Sequence, residues 1–296
     1  MTTRDWMLIA FLSLIWGGSF FFAEVALLAY DPLTVVALRV SLAAIILLII
    51  LRATGKALPS GWAIWAALAG MGLLNNVIPF SLIVWGQVHV TSSIASIFNA
   101  TTPLFTVFVA HLLTTDERMT ANKLVGVLLG VAGVVVMIGP SALAGFDMAN
   151  AGQVAVLGGA LSYAFASIWG RRLRELTPMV AAAGMLLMAS VIMVPAALLI
   201  EQPLEVVPSW PVIASVIGLA SVSTALAYLI YFRLLSSVGS TNLMLVTLLI
   251  PISAMGLGIA FLDEAPEASA FAGMLLIFAG LISVDGRLYR RLKARA

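Results

Sequence analysis

The sequence predicts an all-α membrane protein of ten transmembrane helices, arranged as two inverted five-helix repeats with both termini in the cytoplasm. Three observations lead there: the composition, the length of the apolar runs, and the placement of the basic residues. Of 296 residues, 62% are hydrophobic and only 9% are charged. A soluble domain carries ~25% charged residues, because a globule must offer water a polar surface. This chain cannot cover one. Its net charge of +2 comes from basic residues clustered in short loops, which argues against a nucleic-acid partner and for a lipid bilayer.

A helix needs ~20 apolar residues to cross ~30 Å of hydrocarbon, and ten runs answer to that length. The first, Trp6 to Leu27, follows a short charged start. It exceeds the apolar region of a cleaved signal and no A-x-A site follows it, so it reads as a span. Tyr30-Asp31-Pro32 introduces the second, Leu33 to Leu51, and Thr54-Gly55-Lys56 closes it. The third to fifth are Trp62 to Val84, Thr91 to Leu113 and Lys123 to Gly139, the last ending at Gly139-Pro140. Five more follow: Gly152 to Trp169, Met179 to Ile200, Trp210 to Phe232, Ser240 to Leu262, and Ala268 to Val284. Thr177-Pro178, Gln202-Pro203 and Val207-Pro208 supply turn chemistry between them.

Lys and Arg concentrate in cytoplasmic loops. An N-terminus in the cytoplasm puts 14 of the 15 basic residues inside, from Arg4 to the tail holding Arg287, Arg290, Arg291, Lys293 and Arg295. The exception, Arg39, lies within span two. Outside loops carry Asp31, Asp147, Glu201, Glu205, Asp263, Glu264 and Glu267, with no Lys or Arg. A wrong span count would scramble this segregation. The chain has no cysteine, hence no disulfide and no thiolate chemistry.

The halves, residues 1–140 and 141–296, match at a spacing of about 147. Asp116-Glu117 aligns with Asp263-Glu264, Gly126 with Gly273, Gly133 with Gly280, and Pro103 with Pro251 one gap earlier. Five spans per half is odd, so the second copy enters the membrane from the opposite side. Inverted repeats are usual in secondary transporters, whose substrate sites lie near the midplane between the halves. Trp16-Gly17-Gly18-Ser19-Phe20, Asp31-Pro32-Leu33 with Arg39, Thr91-Ser92-Ser93, Pro103, Asp116-Glu117-Arg118, Gly126 and Gly133 resemble the EamA family of the drug/metabolite transporter superfamily. The resemblance runs from about Trp6 to Val284 and is closest to the YddG-type amino-acid exporters. It implies a ten-helix exporter of metabolites or amino acids in the cell inner membrane. The second copy has Tyr163-Ala164 and Met185 where the first has Trp-Gly and Arg39, so any site is asymmetric.

Proline inside a helix frees the carbonyl four residues earlier. Pro79 thereby frees Asn75, Pro103 frees Asn99, and Pro251 frees Thr247. Such groups are tolerated in hydrocarbon only against protein or a water-filled cavity. The expected substrate-binding set is therefore Trp16, Asn75, Asn76, Asn99, Tyr163, Tyr228 and Thr247, around one central cavity. Packing glue between helices is the competing reading for the polar members. A core aromatic bonded to a carbonyl is the competing one for the rings. Glu24 and Arg39 lie within spans, where charge is costly. Glu24 falls roughly 5 Å and Arg39 roughly 9 Å below the outer ends of their helices, on a tight hairpin, and a structural ion pair between them is expected. Gly126 and Gly130, like Gly273 and Gly280, read as close helix packing rather than a phosphate loop.

The function that follows is export of amino acids, aromatic or otherwise hydrophobic or neutral, or of similar small metabolites, by alternating access through the cavity. The alternative is a multidrug or organic-cation exporter using Glu24. A sugar-phosphate carrier would need deep basic residues; only Arg39 is available, and along its helix it is shallow. His89 and His111 fall about a membrane apart, which dismisses them as a metal site. No span pairs a nucleophile with a base, so neither an enzyme nor a cofactor is expected. The sequence assigns no oligomeric state. A single cysteine replacing Leu292 is expected to react with an impermeant maleimide only in permeabilised cells. Labelling of intact cells would refute the topology.

Overall fold

The computed structural model describes residues 2–115, 118–138, 147–203, 206–243 and 245–285. The Asp116-Glu117 pair, the boundary at 140/141, Glu205 and the basic tail lie outside the described residues. The first half holds α1 (Thr3–Ala26), α2 (Pro32–Ala53), α3 (Trp62–Gly72), α4 (Ile78–Gln87), α5 (Ser92–Asn99), α6 (Thr102–Leu113) and α7 (Ala121–Ile138). The second holds α8 (Met148–Trp169), α9 (Pro178–Ile200), α10 (Trp210–Ala220), α11 (Ala227–Leu243), α12 (Leu245–Phe261) and α13 (Ala268–Asp285). No strand occurs among the described residues. Among the described residues, eight helical segments are long and apolar enough to cross a membrane; Val246–Phe261 and Ala268–Val284 are shorter apolar helices. In a bilayer a helix satisfies its own backbone groups, which is why an apolar chain takes this form.

The helix starts are chemically marked. Thr2 and Asp5 close a reciprocal cap on α1, Asp147 accepts from the Asn150 N–H at 2.8 Å ahead of α8, and Pro32 and Pro178 open α2 and α9. Trp62 and Trp210, at the starts of α3 and α10, are 85% and 74% exposed, as interfacial anchors should be. Trp169 differs: its indole N–H donates to the Ala67 carbonyl at 2.9 Å and Arg172 stacks on its ring. The turn expected between Phe232 and Ser240 is helical, and α11 continues to Leu243. The Ser237 hydroxyl bonds back to the Leu234 carbonyl at 3.3 Å, a contact a helix accommodates.

Two π-helical stretches interrupt the regular ladder, Leu73–Val77 between α3 and α4, and Ser221–Leu226 between α10 and α11. Pro79 cannot donate to the turn before it, which relaxes the first stretch. In the second, the Ser221 and Thr224 hydroxyls reach back to the Ile217 and Leu219 carbonyls, at 2.6 and 2.8 Å. Each stretch is tied to a crossing helix by one serine. Ser162 of α8 donates to the Leu74 carbonyl at 2.7 Å, and Ser223 donates to the Ile15 carbonyl of α1 at 2.9 Å. Ile15 and Ser162 are separated by the repeat spacing, so the two bonds are counterparts with donor and acceptor exchanged.

Helix contacts respect the same exchange. α2 packs on α9 and α7 on α13, while α1 lies on α12 as α8 lies on α6. At one end of the α2–α9 pair, Glu201 accepts from the N–H groups of Leu33 and Thr34 at 2.9 and 2.7 Å. Glu264, after α12, accepts in the same manner from the Ser92 N–H at 2.9 Å, the Ser93 N–H at 3.1 Å and both serine hydroxyls. A carboxylate is favoured there by the unpaired amides and by the positive end of the helix dipole. Left-handed residues, Gln202 at φ 48° after one and Asp263 at φ 53° before the other, turn the chain at each clamp.

α7 and α13 form the most extensive helix contact, and their repeat-matched glycines face each other. A Cβ on Gly133 would lie 2.7 Å from the Gly273 carbonyl oxygen, and one on Gly126 would lie 2.6 Å from that of Gly280. The pairing runs antiparallel, as a repeat of opposite orientation requires. Gly133→Ala is expected to lower stability by about 1–3 kcal/mol through overpacking against backbone, read as a fall in melting temperature in detergent. Gly256, with nothing within 4 Å of a Cβ, should accept alanine without loss.

Candidate functional site

A cavity of about 690 Å³ lies between the halves. Its lining draws Trp16, Ser19 and Phe20 from α1, Arg39 from α2, and Asn75, Phe80 and Gln87 from the third span. Asn99, Thr102 and Thr106 come from α5 and α6, and Tyr163 and Ser167 from α8. The second π-stretch with α11 and α12 adds Ser223, Thr224, Tyr228, Tyr231 and Thr247. Toward the α8–α9 connection it reaches Gly170, Arg174, Leu176 and Pro178.

Of the seven expected site residues, the structure places Trp16, Asn75, Asn99, Tyr163, Tyr228 and Thr247 on this wall. Asn76 stands behind it, fully buried, with its Oδ1 accepting from the Tyr228 hydroxyl at 3.2 Å. Asn75 Nδ2 donates to the same hydroxyl at 3.1 Å. Tyr228 thus couples the first π-stretch to α11 across the cavity. Trp16 packs on Tyr231 at 5.6 Å between ring centroids, and Phe80 meets Tyr163 edge-on at 6.5 Å. The carbonyl of Asn99, expected to be freed by Pro103, accepts from the Thr102 hydroxyl at 2.7 Å instead. Its side-chain Oδ1 has no partner among the described residues, nor have Asn76 Nδ2 and Gln87 Oε1. Buried amide groups without partners are rare in folded proteins, and two of these three belong to residues on the wall.

The expected Glu24–Arg39 ion pair does not form. Glu24 accepts from Gln87 Nε2 at 3.0 Å, and the same nitrogen donates to the Phe20 carbonyl at 2.9 Å. Arg39 turns the other way: its Nε donates to the Thr224 hydroxyl at 3.0 Å and its guanidinium covers the Phe80 ring at 3.6 Å. The two charges sit on helices consecutive in the chain, but their side chains face different neighbours. Arg39, Gln87 and Thr224 are among the wall residues that sequence reasoning leaves out of the binding set. Only the rarity of intramembrane charge pointed to Arg39; Gln87 and Thr224 carried no signal of their own.

Apolar helices around a mixed polar and aromatic cavity are the arrangement of a membrane transporter. The sequence profile of the EamA-like transporter family matches this chain twice, over residues 5–139 and 150–284, and the chain belongs to that family. It is 29% identical to the uncharacterized inner membrane transporter YedA of Escherichia coli K12, over 77% of this chain and 72% of that one. It is 26% identical to the probable amino-acid metabolite efflux pump of Salmonella typhimurium LT2, over 98% of both chains. Protein PecM of Dickeya dadantii is similar at 26% identity, over 94% of this chain and 92% of that one. A crystal structure sharing 19% identity superposes with a TM-score of 0.68 over 96% of this chain and 98% of its own, a likeness of fold. The protein is a multi-pass inner-membrane transporter.

Glu24→Gln and Arg39→Gln are expected to act independently, with a coupling energy below about 0.5 kcal/mol in a double-mutant cycle of melting free energies. A coupling of several times that would restore the ion pair.

Proposed function

We propose that this chain exports amino acids with aromatic or other neutral side chains, or closely similar metabolites, by alternating access. The observation that carries the reading is the cavity itself: both halves build it, and its wall alternates aromatic rings with neutral amides and hydroxyls. Aromatic faces accept an apolar side chain, while the side-chain oxygens of Asn99 and Gln87, wall residues whose oxygens have no partner among the described residues, can accept from polar groups of a guest. The similarity to the Salmonella efflux pump supports the class. In this reading the chain crosses the membrane ten times as two inverted repeats, 1–140 and 141–296, with both termini in the cytoplasm. The α8–α9 connection is then cytoplasmic, so the cavity reaches toward the side from which an exporter loads. Transport rather than catalysis is the activity.

The organic-cation alternative is less well supported. Glu24 is engaged by Gln87 and is absent from the cavity wall, so no carboxylate among the described residues offers itself to a cationic cargo there. Counterflow in proteoliposomes decides between them. Uptake of labelled neutral amino acids is expected, competed by aromatic ones and not by organic cations or sugar phosphates. Asn99→Ala should lower that uptake at least about tenfold, as loss of a polar contact to a buried guest does, with insertion unchanged. Counterflow of cations alone would overturn the proposal.

A further inference from the structure

Arg39 is a cation on the cavity wall, 8% exposed, and no carboxylate among the described residues pairs with it. One of its five N–H donors is committed, to Thr224, and one face of the guanidinium rests on Phe80. Its terminal nitrogens make no hydrogen bond to the described residues. Thr224 and Phe80 fix the group's position and plane without neutralising it. A buried charge with no counter-ion is costly, more so at membrane depth, and persists where function uses it. At the equivalent place in the second repeat stands Met185, also on the wall. At mid-cavity the second repeat therefore offers no cation to match Arg39; the other lining cation, Arg174, lies at the α8–α9 end.

We propose that Arg39 anchors the carboxylate of the transported molecule. A guanidinium presents paired donors in the geometry of a carboxylate and binds it in bidentate fashion. Contact with Phe80 leaves the fork's edge available, and the edge is where those donors lie. At Arg39 one guanidinium matches one monocarboxylate, whereas a phosphate dianion held there would keep a net negative charge at that place. Cargo is thus held by its acid group at Arg39, with its remainder among the rings and amides opposite. This inference rests on the cavity being the substrate site, and it names an acid group whether or not the cargo also carries an amine.

The test compares acids with their amides on the purified full chain in nanodiscs: phenylalanine against phenylalaninamide, and 3-phenylpropionate against 3-phenylpropionamide. Wild-type protein is expected to bind each acid at least about tenfold more tightly than its amide. Arg39→Gln should weaken acid binding about 10- to 100-fold while leaving amide binding nearly unchanged, and Arg39→Lys should recover part of the preference. The change in acid-over-amide preference separates anchoring from a merely structural role, which would lower both. If phenylpropionate binds with this dependence and phenylalanine does not, the amino-acid proposal fails and the anchor stands. Wild-type protein that shows no preference for either acid overturns the anchor, and this outcome needs no variant to fold.

Discussion

In the hydrocarbon of a bilayer no water is present to complete a backbone amide or carbonyl, and the architecture of this chain answers that constraint at each level. It makes every described element helical, and it explains where the helices depart from regularity. Pro79 and Pro103 interrupt the ladder, and the strain is taken up just ahead of each: a π-turn precedes the first, and the Thr102 hydroxyl covers the Asn99 carbonyl before the second. The π-stretches are bound to crossing helices by Ser162 and Ser223. Both π-stretches contribute to the cavity wall, Asn75 from the first and Ser223 and Thr224 from the second. Polar lining and broken helices share one cause.

Much of this was legible in the sequence, because the signals were periodic or chemical. Apolar run length gave the helices, and the spacing of about 147 revealed the repeat. Proline positions pointed to Asn75, Asn99 and Thr247, which share one wall. The direction of long side chains was not legible. Arg39 reads as shallow when counted along α2, yet its side chain extends to Thr224, about 20 Å along the helix from the start of α10. Glu24 was matched with it because depth is a one-dimensional measure; azimuth around the helix sends the carboxylate to Gln87. The long α11 was also hidden, since serines near 236 read equally as a turn or as a helix bonding back on itself.

The repeat is faithful in its packing and unfaithful in its chemistry. Glycines 126, 133, 273 and 280 bring α7 and α13 into backbone contact in an antiparallel register, where any side chain would intrude. The cavity relaxes that symmetry: the repeat counterpart of Trp16 is a tyrosine at 163, and that of Arg39 is a methionine at 185. Structural positions tolerate only one residue type on both sides, whereas a pore wall holding an unsymmetrical guest has reason to differ. Equal helices with unequal linings give the interior a direction in charge and shape that the scaffold lacks.

The two carboxylate clamps bear on how the protein is made. Glu201 and Glu264 complete the starts of α2 and α5, helices that precede them by some 170 residues of chain. As synthesis proceeds from the N-terminus, both helix starts leave the ribosome long before their acceptors exist. Water at the membrane surface must hold those amides until the second half has been inserted. The first repeat is therefore an unfinished body on its own, and its last hydrogen bonds are written by residues of its sibling.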